Sequence, residues 1–157
     1  MGLDSYLFAE KFLSLSDNRE EFEKITESLG LTGLIHHNAP TARTRVEIVY
    51  WRKANQIHNY FVSLGDGEDN CEDIHVSRED LENLLTRCRL ALETQNKPGE
   101  GPEAILPTKS GFFFGSTDYD EYYYYQLEYT SAKLEKILAH EDFKDNWNWG
   151  FVYQASW

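Results

Sequence analysis

The run Tyr50-Trp51-Arg52-Lys53-Ala54-Asn55-Gln56-Ile57-His58-Asn59-Tyr60-Phe61 gathers the side chains of this sequence best suited to chemistry. With Arg43 and Arg45 just before it, Arg52 and Lys53 make this the locally basic stretch of an acidic chain. The run passes from a strand pattern into a helix pattern, and on that helix Asn55 and His58 project together with Asn59 beside Asn55. Cations at a helix N-terminus, an indole from Trp51 that can stack, and two hydrogen-bonding side chains could hold a small anion such as a nucleotide. The competing reading is structural. In it Arg52 and Lys53 pair with nearby acids, and Asn55 and His58 tie the helix to a loop.

A second place is the block from Ser110 to Tyr125. Ser110-Gly111-Phe112-Phe113-Phe114-Gly115-Ser116 reads as a compact strand, followed by a long helix capped by Ser116 or Thr117. A Gly-Ser-Thr turn at a helix start can cradle phosphate, but Asp118, Asp120 and Glu121 fill that first turn and repel an anion. Should this block meet the Arg52–Lys53 corner, Asp118 or Asp120 would orient the cations. Either carboxylate with His58 could also act as an acid–base pair. At about 100° per residue, Tyr122, Tyr125 and Tyr129 fall opposite the apolar stripe of Tyr123, Tyr124, Leu127, Leu134, Ile137 and Leu138. There they either cover a second layer or form an aromatic face for a partner protein.

Other chemistry is not encoded. The sequence has no phosphate-binding loop, dinucleotide fingerprint, nucleophile elbow or zinc-ligand pair, and no cofactor is expected. The acidic loop Asp66–Asp73 resembles a calcium loop only in composition: Gly67 stands second instead of sixth, and Ser77 fills the twelfth position. His36 and His37 are adjacent, so their rings diverge, and two ligands do not make a metal site. Cys71 and Cys88 lack disulfide-framework numbers and ligand spacing, and both are expected to be reduced structural thiols.

The chain of 157 residues fits one domain, 1–157. Hydrophobic residues at 41% and aromatics at 15% exceed what a disordered chain carries, so a packed core is expected. No apolar run approaches the roughly 18 residues of a membrane span. The basic-then-apolar pattern of a secretory leader is missing too, so a cytoplasmic protein is expected. Net charge is −12, unevenly spread: residues 1–60 hold seven Lys/Arg against eight Asp/Glu, and residues 61–157 hold eight against nineteen. Such a field repels nucleic acid and anionic membrane and attracts a partner with a basic surface. It also simply keeps the protein in solution.

The elements that must position these groups alternate. Leu3–Ala9 reads as a strand. Asp17 with Glu20 has the capping-box spacing for a helix that carries Phe22, Ile25 and Leu29 and stops at Gly30. Residues 31–43 read as a loop and Thr44–Trp51 as a strand, with Val46, Ile48 and Tyr50 on one face and Arg45, Glu47, Val49 and Trp51 on the other. A helix over about 53–64 carries Ala54, Ile57, Phe61 and Leu64 and stops at Gly65. Ile74–Val76 is a brief strand. Ser77 with Asp80 caps a helix burying Leu81, Leu84, Leu85, Cys88 and Leu92. Residues 94–109, with three of the four prolines, read as a surface loop, and Trp149–Trp157 as a closing strand. The expected fold is α+β: a mostly antiparallel sheet of about five strands with three or four packed helices.

Taken together, the Met-Gly-Leu-Asp start, Tyr50–His58, Ser110–Ser116 with Asp120-Glu121-Tyr122, and the Tyr153–Trp157 close resemble a family of small proteins from tailed phages and prophages. The resemblance spans the chain and carries no activity with it. It implies a phage-type origin, and by analogy a non-enzymatic protein that inhibits a host component, with anti-phage defence the expected target. In that reading Tyr122, Tyr125 and Tyr129 meet the partner. The alternative is a pocket of Trp51, Arg52, Lys53, Asn55 and His58, with Asp118 or Asp120, that holds a small anion.

Overall fold

Ser5, Leu7 and Ala9 of the first strand are buried on one side, while Tyr6, Phe8 and Glu10 stay part-exposed on the other. This period of two marks a strand whose sheet is covered on one face only. The computed structural model of the chain describes residues 2–36, 38–65, 67–95, 101–144 and 148–157. The described elements are β1 (Asp4–Ser14), α1 (Arg19–Ser28), β2 (Thr41–Arg52), α2 (Asn55–Leu64), β3 (Ile74–Val76), α3 (Arg78–Thr94), α4 (Pro102–Ile105), α5 (Glu121–Ala139) and β4 (Trp149–Ser156). The strands form one antiparallel sheet in the order β2-β1-β4-β3.

The class is α+β, with four strands among the described residues where about five were expected. The missing strand is Ser110–Ser116. Its Phe113 carbonyl accepts from the Leu3 N–H at 2.9 Å, but the Phe114 N–H turns back to the Gly111 carbonyl at 3.1 Å. The turn is tight enough that a Cβ on Gly111 would lie 2.5 Å from the Phe114 ring, and Gly115 sits at φ +87°. Phe112 at its tip is 96% exposed.

Helices α2, α3 and α5 cover one face of the sheet. Ile57 and Phe61, Leu81, Leu84 and Cys88, and Leu127 and Leu134 share a core with Leu7, Val49, Trp51, Phe151 and Tyr153. Helix α3 begins on the expected capping box: the Ser77 side chain accepts from the Asp80 N–H, and the Asp80 side chain accepts from the Ser77 N–H. Helix α5 does not begin on Ser116 or Thr117. Asp120 caps it, accepting from the Tyr123 N–H at 3.0 Å. The Asp17–Glu20 box also fails to form, because the Asp17 carboxylate accepts from the Ser14 hydroxyl at 2.7 Å and Asn18 becomes the first-turn boundary of α1.

A β-bulge alters the predicted faces of β2. Leu7 stands opposite Val49 and Phe8 opposite Glu47, so Ile48 is the extra residue. Because paired residues share a face, Arg45 and Glu47 lie with Phe8 and Tyr6 on the open side. Val46 moves to the side of Ala9 and Val49. The Arg45 guanidinium accordingly sits 4.1 Å over the Phe8 ring and pairs with Asp73 at 2.8 Å.

Two further expectations change. Residues 94–109 are not all surface loop, since Pro102 and Leu106 are buried and Leu106 is 1% exposed. Cys88 is buried, as expected, whereas Cys71 is exposed. Residues 96–100, His37 of the adjacent histidines, Asp66 of the acidic loop and Met1 of the Met-Gly-Leu-Asp start lie outside the described residues. No described helix is long and apolar enough to cross a membrane.

Candidate functional site

The residues predicted to share one pocket are divided by α2 between the core and the surface. Trp51 is 1% exposed, and its indole N–H donates to the Thr130 hydroxyl at 2.9 Å. Its ring lies against Phe61 and Tyr153, out of reach of a ligand. Lys53 adopts φ +54° as the chain leaves β2, and its N–H donates to the Leu3 carbonyl at 2.7 Å. That turn aims α2 back across the sheet.

Asn55 and His58 project together, as the spacing predicts, but inward. The Asn55 amide donates to the carbonyls of Phe114 at 3.1 Å and Ser116 at 2.7 Å, and its oxygen accepts from the Lys109 N–H at 3.1 Å. It thereby supplies the partners that a neighbouring strand would have given the Ser110–Ser116 segment. His58 is 1% exposed, with Nδ1 2.7 Å from the Tyr153 hydroxyl and Nε2 3.0 Å from Asp69. A carboxylate only accepts, so Nε2 carries the proton and Nδ1 accepts from Tyr153. Burial pushes the His58 pKa down, and Asp69 opposes this without overcoming it. Burial also raises the pKa of Tyr153, which keeps its donor proton.

The acid beside His58 is therefore Asp69 and not Asp118 or Asp120. Asp120 is engaged as the α5 cap, and the Asp118 N–H closes a turn on the Ser116 hydroxyl at 3.0 Å. Asp69 also faces Lys109 at 3.6 Å. The cluster surrounds a space of only about 10 Å³, close to the size of a single water.

Arg52 stays at the surface. It pairs with Asp4 at 2.8 Å, and the Tyr50 hydroxyl donates to the same carboxylate oxygen at 2.5 Å. The Tyr50 hydrogen bond, followed by Arg52, holds the Asp4 carboxyl below its ordinary pKa against the opposing effect of burial. The expectation of a carboxylate partner for Arg52 holds in kind, with Asp4 in place of Asp118 or Asp120.

Here the two predicted residue sets meet. Tyr122, Tyr125 and Tyr129 lie beside Tyr50 and Arg52 and line a groove of about 280 Å³. The Tyr122 hydroxyl donates to the Arg52 carbonyl at 2.6 Å. Ring centroids step 6.2 Å from Tyr122 to Tyr125 and 6.5 Å from Tyr125 to Tyr129, with planes tilted by 29° and 23°. Tyr122 is 47% and Tyr125 56% exposed, while Tyr129 is half-buried. Burial raises the Tyr129 pKa, and the Tyr50 backbone works against that rise.

A larger cavity of about 460 Å³ lies between α1 and the chain leading into β2, lined by Leu15, Phe22 and Ile35 with Glu23, Glu27 and His36. It contains none of the predicted site residues. Among the described residues, no cluster of three or more His, Cys, Asp or Glu could hold a metal ion.

Sequence reasoning missed Asp4, Asp69, Tyr153 and Thr130 as partners. Their signal lies in strand register and long-range packing, not in local spacing. Compared with protein-family models, curated proteins and solved structures, the chain matches none.

Proposed function

We propose that this protein is a non-enzymatic binding protein that engages a basic surface of a partner protein through the tyrosine groove of α5 and β2. The observation that carries the reading is the ladder of Tyr122, Tyr125 and Tyr129, two of them among the exposed large side chains, beside Arg52. Exposed aromatic residues held rigid are common anchors of protein interfaces. The net charge of −12 favours a basic partner and a fast, salt-sensitive encounter. The resemblance to phage and prophage proteins makes that partner a host component, first of all one of anti-phage defence, met in the host cytoplasm. A small-anion pocket has less support. Asn55, His58 and Trp51 are buried with internal partners, and Arg52 is already paired.

Native mass spectrometry after incubation with bacterial extract tests this. The expected result is a stoichiometric protein complex that weakens with salt and is lost in Tyr125→Ala. An added mass of small-molecule size, absent in Arg52→Ala and retained in Tyr125→Ala, would overturn the reading in favour of a bound anion.

A further inference from the structure

We propose that the cavity between α1 and the chain leading into β2 binds a small organic cation, a protonated primary amine on an apolar body. This site is separate from the tyrosine groove and does not depend on the docking role proposed for that groove.

The first observation is depth. Phe22 and Thr26 stand one turn apart on α1, line the cavity, and are only 2% and 7% exposed. Glu23, Glu27 and His36 line it too, and all three are exposed. The space of about 460 Å³ therefore runs from an open rim to a buried floor. Its volume falls in the range that small ligands occupy.

The second is apolar surface without a packing partner. Phe22 stands apart from the core that α2, α3 and α5 share with the sheet. Where Phe22, Leu15 and Ile35 border the cavity, they face space instead of protein. An apolar body seated there would gain the burial and dispersion contacts that this side of α1 lacks.

The third is the polarity of the groups that α1 presents. The Thr26 hydroxyl has one proton, and the carbonyls of Phe22 and Glu23 take it at 2.9 and 3.1 Å. Toward the cavity that hydroxyl can only accept, as can the carboxylates of Glu23 and Glu27. Glu23 is already paired with Arg19 at 3.2 Å, but among the described residues nothing pairs with Glu27. No described lysine or arginine lines the cavity. Acceptors beside an apolar floor select a ligand that donates, and the unpaired carboxylate selects one that is positive. A primary ammonium supplies three donors and the charge. The net charge of −12 draws cations and repels anions over the whole surface, so the test must separate that field from this site.

The probe is phenethylammonium, titrated into the whole protein and followed by two-dimensional NMR at about pH 7.5, where an ordinary histidine is mostly neutral. Phenethyl alcohol and hydrocinnamate serve as its neutral and anionic analogues. The ammonium should shift the resonances of Phe22, Thr26 and Ile35 and bind about fivefold more tightly than the alcohol, with the carboxylate weakest. Glu27→Gln should erase that preference. Glu20→Gln removes the same charge from a residue that pairs with Lys24 outside the cavity, and should keep it. Equal affinity for ammonium and alcohol would overturn the inference, as would equal weakening by the two substitutions. Absence of binding, or shifts confined to the tyrosine groove, would overturn it as well.

Discussion

The Tyr122 hydroxyl donates a hydrogen bond to the Arg52 main-chain carbonyl at 2.6 Å, which ties the first turn of α5 to the last residue of edge strand β2. Eight residues further along α5, the Thr130 hydroxyl accepts from the Trp51 indole on the core side of the same strand. The helix thus grips β2 at its outer edge and through its inner face. Tyr125 lies between these two anchors and is 56% exposed.

This arrangement separates a fold role from a surface role within one ladder. Tyr122→Phe removes a hydrogen bond and should cost about 1 kcal/mol. Tyr125→Ala, at an exposed site, should stay within about 0.5 kcal/mol of wild type. Urea denaturation of the two variants measures the difference. A Tyr125→Ala variant as unstable as Tyr122→Phe would mean that the ring serves the fold, and the docking surface would lose its central residue.

The buried imidazole predicts a pH effect. Burial sets the folded-state pKa of His58 below the ordinary 6.5. The unfolded chain therefore takes up this proton at a higher pH than the folded protein does. The stability gained from a neutral His58 is complete above about pH 6.5 and declines as pH falls from there toward the folded value. Urea midpoints between about pH 7.5 and 5.5 should fall more steeply for wild type than for His58→Gln. Parallel profiles would show that His58 is not the group responsible.

Asn55 should not tolerate a change to aspartate. Its amide nitrogen faces the carbonyls of Phe114 and Ser116 at 3.1 and 2.7 Å, and the residue is 1% exposed. Asn55→Asp removes two donors and sets a buried carboxylate against two carbonyl oxygens, a cost of about 3 kcal/mol at neutral pH. Acid should relieve part of that loss, since the protonated carboxyl regains one donor. Hydrogen exchange across residues 109–116 should quicken in the variant, and unchanged exchange there would count against the clasp.

The parts of this fold that were legible in the sequence are those decided within a few residues. The Ser77–Asp80 cap and the stop of α2 at Gly65 each depend on neighbours along the chain. Asp17 had the same local credentials as Ser77, yet Ser14 claimed it. Ser110–Ser116 reads as a strand because it is apolar and bracketed by glycine. Whether such a run pairs is settled by what lies beside it, and here a side chain from α2 took its carbonyls. Trp51, Asn55 and His58 read from the sequence as the lining of an anion pocket, and the structure gives each of them buried internal partners instead. That those partners are internal follows from the turn at Lys53, which spacing does not reveal. The Asp4–Arg52 pair depends on a register joining residues 48 apart in sequence, with a bulge between them and the far end of the strand.

The pairing of Asp4 with Ser156 sets the two central strands at opposite ends of the sequence. On a ribosome adding about 5–20 residues per second, β1 is made many seconds before the strand that will lie beside it. During that interval Leu7 and Ala9 can pair only with β2, and the other flank of β1 is an open template in a crowded cell. The sheet closes only when β4 arrives, so its assembly waits for the last of its four strands to be made. A nascent chain halted before residue 149 would hold the helices and the tyrosine ladder with no finished sheet beneath them.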